Sequence, residues 1–205
     1  MMPIFDDNNN QIGHAVVRHD ITQMKQYEQM SITDPLTHIF NRRYFNNIIA
    51  EEINRANLEK KTLCFIILDV DHFKKYNDTY GHIAGDQALI TIAETLKQNL
   101  QEDTDYPFRL GGEEFGILFH ADDETKALEF SEKIRKNIAE LKIPHSSSDV
   151  ANYVTASLGL VVINFHEQTA DKDEFYRLAD SALYSAKENG RDQVFLHQND
   201  EMEFF

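Results

Sequence analysis

The sequence predicts an α+β fold, a mixed sheet with helices packed on it, on the strength of three observations. Segments with apolar residues at helical spacing alternate with short apolar runs of strand length. One of these runs, Leu63–Leu68, is continuously apolar, as a strand buried on both faces requires. Two more, Tyr106–Leu110 and Phe115–Phe119, are divided only by Gly111-Gly112 and two glutamates, which signals a hairpin. Helices alternating with strands around one hairpin fit an α+β sandwich.

In chain order, Asp6-Asp7-Asn8-Asn9-Asn10 reads as a turn and Ile12–Val17 as a short strand. Asp20, with Gln23 three residues on, is placed to cap a helix over 20–31 that carries Ile21, Met24, Tyr27 and Met30. That helix is too short to be a stable coiled coil alone and reads as a connector. Residues 1–31 are therefore expected to be a strand plus connector helix, 32–197 the main domain and 198–205 a tail. Within the main domain, Asn41 is expected to cap a helix whose Tyr44, Phe45, Ile48, Ile49, Ile53 and Ala56 repeat at helical spacing. The buried strand, a helix from about Gly85 to Leu100 and the hairpin follow. Helix Thr125–Leu141, strand Tyr153–Ile163, helix Asp173–Lys187 and strand Gln193–Leu196 complete the set.

A chain of 205 residues, 41% hydrophobic, buries one full core. Its formal charge of −15 argues against a nucleic-acid polymer as partner, because phosphate backbones demand basic patches. A nucleotide substrate stays possible, since metal ions bridge carboxylates to phosphates. The one cysteine, Cys64, permits no intrachain disulfide, which fits a reducing cytoplasm. No apolar stretch approaches the roughly 20 residues that span a bilayer, so no membrane contact is expected within this chain.

Asp69 and Asp71 stand at the end of the buried strand, where sheets commonly present functional groups. Glu113 and Glu114 stand at the hairpin tip. If the hairpin pairs beside Leu63–Leu68, these carboxylates converge. Two unit charges 4 Å apart repel by about 4 kcal/mol at an effective dielectric near 20, a crowding that a cation relieves. Hard oxygen ligands at this density suit Mg²⁺ or Mn²⁺. The alternative is that they are solvated turn carboxylates. Gly111 and Gly112 supply the positive φ of a tight turn and let a base and a phosphate approach the backbone.

At this point the residues resemble a known family. Arg109-Leu110-Gly111-Gly112-Glu113-Glu114-Phe115 is similar to the signature of GGDEF domains, the diguanylate cyclases, in its Glu form. Asp34-Pro35-Leu36-Thr37 with Asn41-Arg42-Arg43-Tyr44-Phe45 resembles the family's entry segment. Asp69-Val70-Asp71-His72-Phe73-Lys74-Lys75-Tyr76-Asn77-Asp78, then Gly81-His82 and Gly85-Asp86, resembles its metal and guanine segment. Ala179–Tyr184, Ala186-Lys187 and Gly190-Arg191 resemble its final helix. The likeness runs from about Ile32 to Phe195, roughly four fifths of the chain.

The resemblance implies a mainly antiparallel sheet of the nucleotidyl-cyclase and polymerase-palm type, with a ferredoxin-like core. It implies an enzyme that condenses two GTP into cyclic di-GMP and two pyrophosphates across a homodimer, with Mg²⁺ or Mn²⁺, two per active site when GTP is bound. Asp69, Glu113 and Glu114 would hold metal through carboxylates and Val70 through its carbonyl. Glu113 would accept the proton of the attacking 3′-hydroxyl, and Glu114 would assist. Asn77 and Asp86 would bind the guanine edge with His82 nearby. Phe73, through its backbone, and Lys74 would contact the triphosphate. Lys187 and Arg191 would grip the terminal phosphates, and Gly111 and Gly112 would line the nucleotide.

The chemistry of these residues is consistent with such roles. A carboxylate at Asp86 accepts both N1–H and N2–H₂ of guanine, a donor pair that adenine lacks. Plainer readings stay open: Asp86 as a helix N-cap, Asn77 and His82 as turn residues, Lys74 as a solvated lysine. Lys187 and Arg191 would complement a helix C-terminus in any protein. Asp71 is read as orienting Lys74 or Asp69 rather than binding metal. The first 20 residues resemble the closing strand of a PAS-type sensor, and the connector helix would pair with its twin. The family's product-binding Arg-x-x-Asp is replaced by Glu102-Asp103-Thr104-Asp105, so no product inhibition is expected there. The competing functions are a catalytically silent GTP-binding signalling module and a nucleotidyl cyclase of different product.

Overall fold

The computed structural model describes residues 2–5, 11–15, 32–100, 104–167 and 169–197. The chain divides into two compact units, Met1–Ser31 and Ile32–Phe205. In the first, β1 (Met2–Phe5) and β2 (Gln11–Ala15) pair antiparallel, with Met2 opposite Ala15. The sequence predicts only the second of these strands, over Ile12–Val17. Met-Pro-Ile-Phe is too short for alternation to show, and its proline argues against a strand. The expected turn at 6–10, the connector helix and the 198–205 tail lie outside the described residues.

The second unit is built on a six-stranded sheet of order β3-β5-β6-β4-β7-β8. Its strands are β3 (Phe40–Asn41), β4 (Thr62–Val70), β5 (Tyr106–Gly111), β6 (Glu114–His120), β7 (Ala156–Asn164) and β8 (Val194–Leu196). The inner pairs β5–β6, β6–β4 and β4–β7 are antiparallel, and the outer pairs β3–β5 and β7–β8 are parallel. The sheet is therefore mixed and mainly antiparallel, as expected. Among the described residues five helices flank it: α1 (Arg42–Glu59), α2 (Phe73–Tyr80), α3 (His82–Asn99), α4 (Glu124–Glu140) and α5 (Lys172–Glu188).

Strand periodicity explains why β4 is apolar without a break. Leu63, Phe65 and Ile67 face a core closed by Phe45, Ile49 and Ala56 of α1 and by Phe175, Ala179 and Leu183 of α5. Cys64, Ile66, Leu68 and Val70 face a second core with Leu89, Ile92 and Leu96 of α3 and Ile134 and Ile138 of α4. Alternate side chains of a strand point to opposite faces, so a strand covered on both sides must be apolar at every position. Asn41 caps α1 by accepting the Tyr44 amide at 3.0 Å, as its sequence position predicts. Asp123 and Asp171 cap α4 and α5 in the same way. Gly159 on β7 is required by close approach. A Cβ there would lie 2.2 Å from the Ala179 carbonyl oxygen and 2.3 Å from the Leu183 nitrogen.

Two expected starts are corrected, and two elements of this unit were not foreseen. The helix expected from Gly85 starts at His82, so Asp86 is its fifth residue and not its N-cap. Helix α2 is absent from the sequence prediction, because Phe73-Lys-Lys-Tyr-Asn-Asp-Thr-Tyr carries too few apolar positions to declare a face. Gly81, at φ 83, makes the bend between α2 and α3. The strand expected from Tyr153 begins at Ala156, Tyr153 itself forming an isolated bridge with Pro144. Two-residue β3 was too short to foresee. Among the described residues no helix is long and apolar enough to cross a membrane.

Candidate functional site

The end of β4 and the start of β6 bring Asp69 beside Glu114, with Glu113 in the adjoining turn. In the β4–β6 ladder Asp69 stands directly opposite Glu114, and directly opposed side chains in such a ladder lie within reach of each other. The Val70 amide donates to the Glu113 carbonyl at 3.3 Å, tying the turn residue to the strand end. The turn needs its glycines. Gly111 and Gly112 have φ 152 and 53, and a register shift separates Arg109 from Gly111.

A clamp holds this turn. Arg109 donates from Nε and Nη2 to the Gly112 carbonyl, at 3.0 and 2.9 Å, and from Nη1 to Asp34 Oδ1 at 3.0 Å. The same Asp34 oxygen accepts the Thr37 amide at 2.9 Å and the Thr37 hydroxyl at 2.7 Å. Burial pushes the Asp34 carboxyl up, but the bonds from Thr37 and Arg109 prevail and hold it below its ordinary value. Sequence reasoning left this clamp unassigned. An Asp followed three residues later by Thr is the spacing of a self-bonded turn, which was the available signal.

The electrostatics at Asp69 set the site's chemistry. Burial raises its carboxyl to about 6, Glu113 and Glu114 push in the same direction, and Lys187 opposes them. Lys187 Nζ sits 2.9 Å from Asp69 Oδ2. A carboxylate this reluctant to ionise gains from added positive charge, and Lys187 stands where such charge is wanted. No three His, Cys, Asp or Glu side chains close around one point among the described residues. Mg²⁺ requires only one or two carboxylates, taking its other ligands from water and substrate phosphates. The hard oxygen donors of Asp69, Glu113 and Glu114 therefore fit that ion.

Asp71 is not part of this cluster. It is 1% exposed and accepts Thr155 Oγ1 at 2.8 Å, Ser157 Oγ at 2.6 Å and the Asp192 amide at 3.1 Å. The expectation that it orients Lys74 or Asp69 is corrected: it fastens β7 and the loop after α5 to the end of β4. That loop contains Arg191 and Asp192, both left-handed at φ 66 and 43, and Arg135 of α4 holds Asp192 Oδ1 at 2.7 Å. Lys187, in the last turn of α5, reaches Asp69, and Arg191 follows in the braced turn with its Nη1 donating to the Lys187 carbonyl at 3.3 Å.

The remaining predicted residues gather on α2 and α3. Phe73 opens α2 with its ring buried, and Lys74 follows, exposed. First-turn amides of a helix have no intrahelical acceptor and are available to an anion. Asn77 Oδ1 is buried without a hydrogen-bond partner. It lies beneath Gly85, where an added Cβ would stand 1.9 Å from it. An unpaired buried acceptor is costly and suits a ligand donor. His82 and Asp86, one helical turn apart, are exposed on α3, and Asp86 adjoins the glycine that covers Asn77.

Comparison with known proteins identifies the family and the fold. Residues 31–193 match the family model described as diguanylate cyclase, GGDEF domain. The chain is 40% identical over 176 residues to DgcT of Escherichia coli K12, named as a probable diguanylate cyclase, covering 86% of this chain and 38% of that protein. It is 36% identical over 177 residues to diguanylate cyclase A of Treponema denticola, covering 85% and 46%. The chain thus spans less than half the length of these two curated relatives. Among solved structures, the coiled coil and GGDEF domain of DgcB from Caulobacter crescentus, in complex with c-di-GMP, superposes with a TM-score of 0.76 at 27% identity, covering 85% of this chain and 90% of that one. The active GGEEF domain of a diguanylate cyclase from Vibrio cholerae superposes with a TM-score of 0.66 at 28% identity, covering 78% and 97%.

Proposed function

Because the chain belongs to the GGDEF family of diguanylate cyclases, we propose that it condenses two GTP into cyclic di-GMP and two pyrophosphates, one GTP carried by each chain of a homodimer. The observation that carries this reading is Asp69 opposite Glu114 at the Gly111-Gly112 turn, with Lys187 on Asp69. Asp86 and Asn77 take the guanine edge, with His82 beside them. The Phe73 amide, Lys74, Lys187 and Arg191 take the triphosphate, and Gly111 and Gly112 leave room for the nucleotide.

The 3′-oxygen of one GTP attacks the α-phosphorus of the other, and the bond to pyrophosphate breaks. Glu113 receives the hydroxyl proton, and Glu114 supports it. Asp69, Glu113, Glu114 and the Val70 carbonyl would hold Mg²⁺ or Mn²⁺, which supplies positive charge against the leaving pyrophosphate. A two-fold product made from one site per chain requires two chains face to face, an alignment that can contribute about 7–11 kcal/mol in favourable systems. Residues 1–31 would regulate this encounter and 32–197 would catalyse, in the cytoplasm where GTP is made available. With Glu at position 102, product inhibition through an Arg-x-x-Asp pair forms no part of the proposal.

The test is incubation with GTP and Mg²⁺ followed by chromatography. Cyclic di-GMP is expected, with a rate per chain that rises with protein concentration, and ATP is expected not to replace GTP. A dimeric sample that binds GTP without turnover would instead identify a silent signalling module.

A further inference from the structure

Helix α2 opens from His72, a non-glycine residue in the left-handed region at φ 55 with no side-chain cap. Such a conformation is strained and persists only where its surroundings fix it. The segment His145–Asp149 does the fixing. His145 is 1% exposed, and its Nε2 lies 3.3 Å from the His72 carbonyl oxygen. A carbonyl only accepts, so Nε2 carries a hydrogen, and Nδ1 faces Ser147 Oγ at 3.4 Å. The imidazole meets the Tyr76 ring edge-on, with centroids 5.3 Å apart.

The rest of the segment runs along the outer side of the same helix. Ser147 Oγ is 2.8 Å from Thr79 Oγ1 and 3.2 Å from the Lys75 carbonyl. Tyr80 Oη and Ser146 Oγ are 2.9 Å apart, and Asp149 pairs with both His72 and Lys75. The segment is itself anchored, since the His145 amide donates to the Asn152 carbonyl at 2.9 Å and the Val154 amide to the Ile143 carbonyl at 2.8 Å.

We propose that His145 is a positioning residue for the nucleotide. Through the His72 carbonyl it sets the turn that opens α2, and so sets where the Phe73 amide, Lys74 and Asn77 meet the triphosphate and guanine. This rests on the reading of α2 as a substrate-contacting helix given above. The competing account is a core histidine that only fills space.

Steady-state kinetics on GTP separate the two. His145→Leu keeps bulk and removes the donor, whereas His145→Gln restores an N–H at similar reach. With Leu, KM for GTP is expected to rise about fivefold, the factor one neutral hydrogen bond sets, while kcat stays within about twofold. Gln is expected to return KM to the wild-type value. An unchanged KM with Leu, a loss confined to kcat, or a Gln variant as impaired as Leu would overturn the proposal. If His145→Leu does not fold, His145→Asn, whose amide overlays Nδ1 and does not reach the carbonyl, is the second donor-less variant. The backbone amides of residues 73–77, followed by ¹⁵N–¹H NMR, give a readout independent of turnover. Should the wild-type protein make no cyclic di-GMP, the functional reading fails alone. Amide shifts present in the donor-less variant and absent in Gln would still support the positioning role, and unmoved amides would overturn it.

Discussion

Replacing Glu113 by glutamine is expected to reduce cyclic di-GMP formation by at least about 10³-fold, within the range that loss of a proton acceptor costs. The fold should survive, because the link from Glu113 to the strand end uses its backbone carbonyl, which accepts the Val70 amide. Glutamine keeps that carbonyl and nearly the same shape. It removes one of the negative charges that push the Asp69 carboxyl up, so the variant should unfold no earlier than the parent. Circular dichroism and thermal melting check the fold, and chromatography checks turnover. Activity within about tenfold of the parent would take Glu113 out of the proton-accepting role.

The second large effect is expected at Asp71, and it is one of stability as well as activity. Asp71→Ala leaves the Thr155 and Ser157 hydroxyls and the Asp192 amide without their shared acceptor in a fully buried position. Unpaired buried donors and a lost carboxylate network together cost about 3–5 kcal/mol. The Asp192 amide belongs to the left-handed turn that also contains Arg191, so GTP affinity should fall in whatever fraction stays folded. Denaturant unfolding measures the first effect and GTP titration the second. A free energy of unfolding within about 1 kcal/mol of the parent would show that the network is dispensable.

Asp71 shows where sequence reading stops. The sheet, both of its cores and most helices were legible because they follow from periodicity. Strand β4 is apolar at every position since it is covered on both faces, and Asn41 caps α1 because its side chain is the right acceptor at the right place. The carboxylates were legible because Asp69 ends one strand and Glu114 begins another, and antiparallel pairing then opposes them. Helix α2 was not legible. Its anchors are Phe73 and Tyr76 in the second core and the His145–Asp149 segment along its side, and so short a helix shows no periodic trace of either. The Asp34–Arg109 clamp joins residues 75 positions apart. No local pattern reports a pairing of that range. Asp71 looked like a neighbour of the metal set by spacing alone, and burial among three donors changed its meaning.

The account depends on carboxylates from the β4 end and the β5–β6 turn being crowded enough to require divalent cations and a triphosphate. Electron paramagnetic resonance of Mn²⁺ titrated into the protein with a non-hydrolysable GTP analogue measures this directly. The parent is expected to immobilise about two Mn²⁺ per chain when the analogue is bound, and Asp69→Asn, with its fold intact, is expected to lose that binding. Equal Mn²⁺ binding by the parent and Asp69→Asn would contradict the account.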